Sequence, residues 1–380
     1  MRIEKHKDDC CGCTLCSYVC PHKAITMKPD AMGFLYPEID YDICVDCGLC
    51  NRYCSFISDY KTDNNLLSPV AYGGRHKDLA EVARSQSGAA FVVLSDYILS
   101  KQGVVYGAGY KDHFRVAHKR TTTKNDRDEL RGSKYVQSDM TGVFSYIRND
   151  LDGNRIVMFT GTPCQTAAVS SCFAKHKNRK NLFLMDIVCH GVPGPYVWKD
   201  YLDFLEKRQG EKITKVNFRD KSYKGWHAHV ESFTFTYTYT YLFYTHITFR
   251  YSCGKCPYTN LRRTSDITVG DFWGVEKSKA AFLGVDNKGC SLFIVNTQKG
   301  LEWLDQVRNK LDLMEVGLSE ILQPQLCHPA KLNKKRDQFE RDYVRYGFAY
   351  VRKKYGNVGV NLVKNKIKNL VRPIYKLIVR

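Results

Sequence analysis

The sequence predicts a mixed α/β (α+β) fold with a mostly parallel sheet plus a β-hairpin, set behind a small cysteine-dense module. Three observations predict it. Between residues 70 and 330, apolar runs of strand length alternate with segments of helical periodicity, the pattern of strands joined by crossover helices. From Phe233 to Tyr241 every odd residue is aromatic and every even residue is Thr, a strict period of two that marks a strand with one aromatic face. Nine of the sixteen cysteines fall within the first 57 residues, far too densely for an ordinary core.

Taken in order, the chain divides into a cysteine-dense domain at 1–60, two halves of the large region at 70–153 and 154–330, and a basic tail at 331–380. A polar stretch from Ser58 to Pro69 reads as a linker. In the first half, Ala90, Val93, Leu94, Tyr97 and Ile98 recur at three and four, so Ser87 to Lys101 is helical. Gly103 ends that helix and Val104-Val105-Tyr106 begins a strand. In the second half, Arg155 to Phe159 is a buried strand leading into Thr160-Gly161-Thr162-Pro163-Cys164 and a helix. Leu182 to Val188 and Ser291 to Asn296 are strands, and Tyr196 to Lys207 is a helix. The aromatic alternation runs on to about Tyr251. As one strand it would span roughly 60 Å, so a hairpin turning near Tyr241–Tyr244 is expected.

Composition narrows the function classes. The net charge is +19, but residues 331–380 alone carry +12, so the basic character belongs to the tail and argues against a nucleic-acid-binding protein. The opening Met1-Arg2-Ile3-Glu4-Lys5-His6-Lys7 has no apolar stretch behind it, and no run of about 18 apolar residues exists, so neither a signal peptide nor a spanning helix is expected. A cytoplasmic, reducing location follows, in which clustered thiols bind metal or do redox work.

The cysteine spacing says which metal. Cys10-x2-Cys13-x2-Cys16-x3-Cys20-Pro21 is followed 34 residues later by Cys44-x2-Cys47-x2-Cys50-x3-Cys54. Three cysteines in a tight loop grip three irons of one cubane, and the fourth, past a short turn, serves the other cluster. This is the bacterial two-cluster ferredoxin pattern. It assigns Cys10, Cys13, Cys16 and Cys54 to one 4Fe-4S cluster and Cys44, Cys47, Cys50 and Cys20 to the other. Ser55 stands where a second proline is common, and the ligands are intact. Zinc ribbons use two CxxC pairs without the third and fourth cysteines found here. Cys11 reads as a bystander thiol. Cys164, Cys189, Cys253 and Cys256 are scattered; on spacing alone they either converge on a third cluster at the sheet edge or are packed core thiols with one local zinc pair. Cys172, Cys290 and Cys327 read as structural thiols.

Several segments together resemble one family. Arg131-Gly132-Ser133-Lys134-Tyr135, Thr160-Gly161-Thr162-Pro163-Cys164-Gln165, Cys189-His190-Gly191-Val192-Pro193, Cys253-x2-Cys256 and Asp266 to Gly274 look like the coenzyme F-420 hydrogenase/dehydrogenase beta-subunit family, over about residues 70–320. Its members include deazaflavin-reducing subunits of hydrogenases and formate dehydrogenases, and a reductase of a chlorophyll intermediate. The resemblance implies an FAD, a third 4Fe-4S cluster held by Cys164, Cys189, Cys253 and Cys256, and exchange of electrons with an organic two-electron substrate.

No GxGxxG is present: Gly107-Ala108-Gly109 lacks its third glycine and the helix that should follow. A flavin still has a physical rationale, because clusters pass single electrons and most organic substrates take two. Its candidate contacts are Ser85, Ser87 and Gly88 at a helix start, where free N–H groups suit an anion, and Arg131, Ser133 and Lys134. The same residues equally suit an ordinary helix cap and a solvated basic loop. His190 suits either cluster tuning or plain packing, Trp273 reads as a core residue, and His227 and His229 are a weak metal pair.

The sequence thus predicts an iron–sulfur flavoprotein oxidoreductase, with a non-catalytic electron-transfer subunit of a larger complex as the alternative. Expected partners are a redox protein or ferredoxin and an organic two-electron substrate. In the tail, Val360, Val363, Ile367, Leu370 and Ile374 share a helical spacing with lysines between them. That pattern suits the inner membrane surface or docking on the protein's own core.

Overall fold

The computed structural model describes residues 3, 6–57, 59–62, 64–221, 238–359 and 361–363. Its N-terminal module holds two short helices, α1 (Leu15–Val19) and α2 (Leu49–Arg52), and the hairpin β1 (Ile25–Pro29) with β2 (Leu35–Ile39), paired antiparallel from Ile25↔Ile39 to Pro29↔Leu35.

The large region is built on one eight-stranded sheet. Its strands are β3 (Asn65–His76), β4 (Val104–Tyr110), β5 (Val116–Thr121), β6 (Val157–Gly161), β7 (Leu182–Ile187), β8 (Ile267–Asp271), β9 (Ser291–Thr297) and β10 (Leu311–Val316). They lie in the order β10-β3-β9-β8-β7-β6-β4-β5. The central β4, β6, β7 and β8 are parallel, and β5, β9, β3 and β10 flank them antiparallel, so the sheet is mixed around a parallel centre. Strands from 70–153 and from 154–330 interleave in this one sheet.

Helices cover both faces. They are α3 (Leu79–Ala83), α4 (Ala90–Ser100), α5 (Lys124–Asp128), α6 (Val143–Asp152), α7 (Pro163–Phe173), α8 (Pro195–Gln209), α9 (Thr238–Tyr244), α10 (Gln298–Val307) and α11 (Arg336–Tyr355). One face packs Val93, Leu94 and Ile98 of α4 with Trp303 and Leu304 of α10; the other packs Phe144 and Ile147 of α6 with Val169 and Phe173 of α7. The start of α7 is fixed locally: Thr162 and Gln165 form a capping box, and Pro163 occupies the first turn, where its missing N–H costs nothing.

Three expectations are corrected. The aromatic stretch is helical over Thr238–Tyr244. Burial of Tyr239, Leu242 and Phe243, spaced for one helix face, overrides the strand propensity of Thr and Tyr. The rest of the expected aromatic strand, with His227 and His229, lies within 222–237, outside the described residues. The stretch read as a linker is half strand, since β3 starts at Asn65. The module is also not a tethered bead: Leu15, Met32 and Phe34 are buried in the cores of the large region. At about 1.5–3 kcal/mol per buried side chain, that fixes its position firmly. The first part of the basic tail packs inward too, with Phe339, Phe348 and Val351 of α11 in the core; residues 364–380 lie outside the described residues. Among the described residues, no helix is long and apolar enough to cross a membrane.

Candidate functional site

The cysteines gather into three cages. Cys16 feels the Cys13, Cys10 and Cys54 thiols, whose charge adds to burial in raising its pKa, so these four share one site. Cys20, Cys44, Cys47 and Cys50 line one small cavity with Val45 and Leu49. The fourth cysteine of each loop therefore sits with the other loop's three. Gly12, at φ +68, lets the first loop turn; a Cβ there would lie 2.7 Å from Arg250 Nη1 and 2.9 Å from the Leu35 carbonyl.

The third cage is assembled from the ends of the parallel strands. Cys164 opens α7 after β6, Cys189 follows β7, and Cys253 and Cys256 lie in and just after a 3-10 turn at Tyr251–Lys255. All four line one small cavity, together with Cys11, Arg250, Tyr258 and Arg263. Burial pushes the Cys253 and Cys256 thiols up to about 12, and neighbouring cysteines add to it. Cys164 is instead drawn down to about 7, chiefly by a hydrogen bond from Cys11, with the Thr162 hydroxyl (3.2 Å) and the charge of Arg250 helping. Four convergent thiols with little water and a cation nearby are a donor set that fits a thiolate-bound cluster.

Beyond this cage, outside the carboxyl ends of β6, β7 and β8, lies a cavity of about 270 Å³. That is where open α/β sheets bind ligands, and the volume lies just below the usual range for small-molecule sites, roughly 300–1,000 Å³. Thr162, Cys189, His190, Gly191 and Val192 line both spaces, so cage and cavity share a wall. Tyr135 and Phe243 stack at 4.4 Å on one side, and His190 meets Trp273 at 5.1 Å. Arg219 forms a largely buried ion pair with Asp271 at the cavity wall.

Five of the six residues expected to contact a flavin, Ser85, Ser87, Arg131, Ser133 and Lys134, line this cavity. Gly88 does not; its amide donates to Ser291 Oγ, and a Cβ there would lie 2.5 Å from the Gly74 carbonyl. Ser85 Oγ and Arg131 Nη1 are buried without a hydrogen-bond partner. Helix α4, whose first residues line the same wall, has no side-chain cap because Ala89 stands at its N-cap. Orphaned donors around an uncapped helix start fit an anionic group such as a cofactor phosphate.

Residues 154–319 match the family model for the C terminus of the coenzyme F420 hydrogenase/dehydrogenase beta subunit, and residues 9–56 match the 4Fe-4S dicluster domain. The chain is a beta-subunit-family protein with an N-terminal dicluster domain. This beta-subunit homologue is 22% identical over 326 residues to the F subunit of F(420)H(2) dehydrogenase from Methanosarcina mazei, covering 81% of this chain and 85% of that protein. Its first part is 37% identical over 54 residues to the PorD subunit of pyruvate synthase from Thermotoga maritima, covering 14% of this chain and 50% of that protein. A solved structure of the F420-reducing nickel–iron hydrogenase complex of Methanosarcina barkeri superposes with a TM-score of 0.47 at 16% identity, over 77% of this chain and 93% of that one.

Sequence reasoning missed several residues of the beta-subunit homologue's site. Trp273 is 37% exposed at the cavity and is not a core residue. Cys11 is buried between Cys13 and Cys164, within hydrogen-bonding reach of both, rather than a bystander. Its place next to Cys10 hints at proximity to the first cage; nothing in the sequence signals the reach to Cys164. Tyr258, whose hydroxyl donates to the Ser55 carbonyl beside Cys54, carries no signal in the sequence either. Cys290 is buried as expected of a structural thiol, whereas Cys327 is exposed.

Proposed function

We propose that this protein is an iron–sulfur flavoprotein oxidoreductase, passing electrons between a redox partner protein and an organic two-electron substrate. The observation that carries this reading is the wall shared by the third cysteine cage and the large cavity. Cys10, Cys13, Cys16 and Cys54 hold one 4Fe-4S cluster, Cys20, Cys44, Cys47 and Cys50 a second, and Cys164, Cys189, Cys253 and Cys256 a third. Ser85, Ser87, Arg131, Ser133 and Lys134 receive the phosphates of FAD. When bound, the clusters supply one-electron storage and the flavin supplies the conversion to electron pairs.

The chain's own residues do the rest. Cys47 is exposed, which makes the second cage the contact for a partner protein. Tyr135, Phe243, His190 and Trp273 give the cavity aromatic walls that suit a planar ring system. The Arg219–Asp271 pair sets a fixed dipole at that wall. His118, held by Ser138 Oγ (2.8 Å) and the Thr160 carbonyl (3.0 Å), is kept neutral by burial, its pKa drawn down to about 4; it buttresses the end of β6. The name of the Methanosarcina mazei relative points to a substrate of the coenzyme F-420 kind and to a place within a larger complex.

Anaerobic purification followed by iron, sulfide and flavin analysis tests the reading. The expected result is roughly twelve irons and one flavin per chain, with turnover of a deazaflavin by the isolated protein. Eight irons or fewer (about two clusters' worth) and no flavin would leave a simple electron carrier.

A further inference from the structure

Arg250 is among the largest fully buried side chains of the protein, at 1% exposure. A guanidinium removed from water needs a counter-charge, because an unpaired buried ion costs several kcal/mol. Among the described residues no carboxylate pairs with it. Its donors go to neutral groups: Nε to the Cys10 carbonyl (2.6 Å), Nη2 to the Leu35 carbonyl (2.8 Å), and Nη1 to Gln137 Oε1 (3.0 Å). The guanidinium lies 4.1 Å from the Tyr36 ring centroid and 5.3 Å from that of Phe34. Nη2 also points to Cys10 Sγ at 3.6 Å.

The main chain of the same residue serves the other cage. Arg250 caps the 3-10 turn that carries Cys253, and its carbonyl accepts the Cys253 amide at 3.1 Å. Its amide donates to the Val192 carbonyl (2.9 Å), in the segment following Cys189. One residue therefore touches a cysteine of the first cage through its side chain and a cysteine of the third through its backbone. Gln137 completes the junction: its Nε2 donates to the Cys11 carbonyl at 2.8 Å while its Oε1 accepts from Arg250.

We propose that Arg250 is the shared counter-ion of the first and third cages, a positioning residue that locks them together and raises the reduction potential of both. This rests on the cluster assignment proposed above. Thiolate-ligated clusters are anionic and become more so on reduction. A fixed, dry positive charge therefore favours the reduced form of each. Arg is suited to the role because its charge does not titrate and its planar fork reaches several acceptors at once. The second cage has no such neighbour among the described residues lining it.

The test is an anaerobic redox titration of the full-length holoprotein, each cluster followed by EPR. In Arg250→Gln the first and third clusters become harder to reduce by at least about tenfold in equilibrium constant, which is about 59 mV for one electron. The second cluster stays where it was, and Arg250→Lys stays close to the wild type. Should Arg250→Gln fail to fold, Gln137→Glu sets a carboxylate against Nη1 and lowers the same two potentials. Unchanged potentials in folded variants carrying all three clusters would overturn the proposal, as would an equal shift of all three. A wild-type protein without a third cluster would instead overturn the functional reading on which it rests.

Discussion

Two loops with the same cysteine spacing, one from Cys10 to Cys20 and one from Cys44 to Cys54, end in opposite surroundings. Around the first, Cys11, Thr14, Leu15 and Phe56 are buried, and Gln137, Arg250 and Tyr258 reach in from the large region. Around the second, Tyr41, Ile43 and Val45 are exposed at 56%, 47% and 60%, with Asp40, Asp42 and Asp46 exposed among them. A repeat thus fixes the ligand chemistry of both sites, while tertiary contacts decide which one faces a partner and which one faces the cavity.

The largest effect separates the inward sites from each other. In Cys253→Ala we expect about one third of the iron to be lost, with the EPR signals of the first and second cages retained. Turnover should fall by more than the roughly 10–100-fold that losing an outer contact costs. Loss of the first cage's signal as well would mean that the shared wall makes those two sites one folding unit. Next in size is oxidation. Brief exposure to air should strip iron from the second cage about ten times faster than from the first, because reactivity of sulfur follows exposure. Equal rates, read by EPR on timed aliquots, would break the comparison.

What could be read in advance follows from how local each signal is. The two ferredoxin loops were legible because each places three ligands within seven residues and the fourth four residues on. The strands β6, β7 and β9 and the helices α4 and α8 were legible because burial on a regular element leaves a period in the sequence. The aromatic run misled because Thr and Tyr favour strands in general, while Tyr239, Leu242 and Phe243 are buried here on a helix. Arg250, Cys11 and Trp273 were not legible at all. Their roles depend on which distant segments meet them: Arg250 and Cys10 are 240 residues apart, and no period records that contact.

A smaller effect measures how tightly the first cage is joined to the large region. Tyr258 is buried, and its hydroxyl satisfies the Ser55 carbonyl next to Cys54. Tyr258→Phe keeps the ring against Tyr60, whose centroid lies 4.6 Å away, and removes only the donor. A buried acceptor left without a partner costs about 1–3 kcal/mol, so thermal unfolding of the anaerobic holoprotein should shift down accordingly. Ile43→Ser, on the exposed side, should stay within about 0.5 kcal/mol of the wild type. Equal shifts for the two would erase the distinction between a docked and a free cage.

The smallest effect extends the comparison to the cavity, where a charge is controlled by burial rather than by solvent. Burial draws the ammonium of Lys134 down to about 7, the positive charge of Lys119 pushes the same way, and Glu129 opposes them. Its Nζ donates to the carbonyls of Glu129 (3.3 Å) and Arg131 (2.8 Å) and lies 5.5 Å from the Tyr110 ring centroid. The sign follows directly. Below about pH 7 Lys134 is a cation and attracts a phosphate; above it the amine is neutral and does not. Flavin affinity, read by fluorescence on release, should therefore fall as pH rises from about 6 to about 8, by at most about tenfold for a single group. Lys134→Met should bind at the weaker level throughout and show no such slope. For folding the sign is opposite: the unfolded chain holds the proton up to its ordinary lysine pKa, so from about 7 upward this group adds stability as pH rises. Affinity and stability should thus move in opposite directions over one pH range. A lysine lying free in solvent would titrate far above about pH 8 and produce neither trend there.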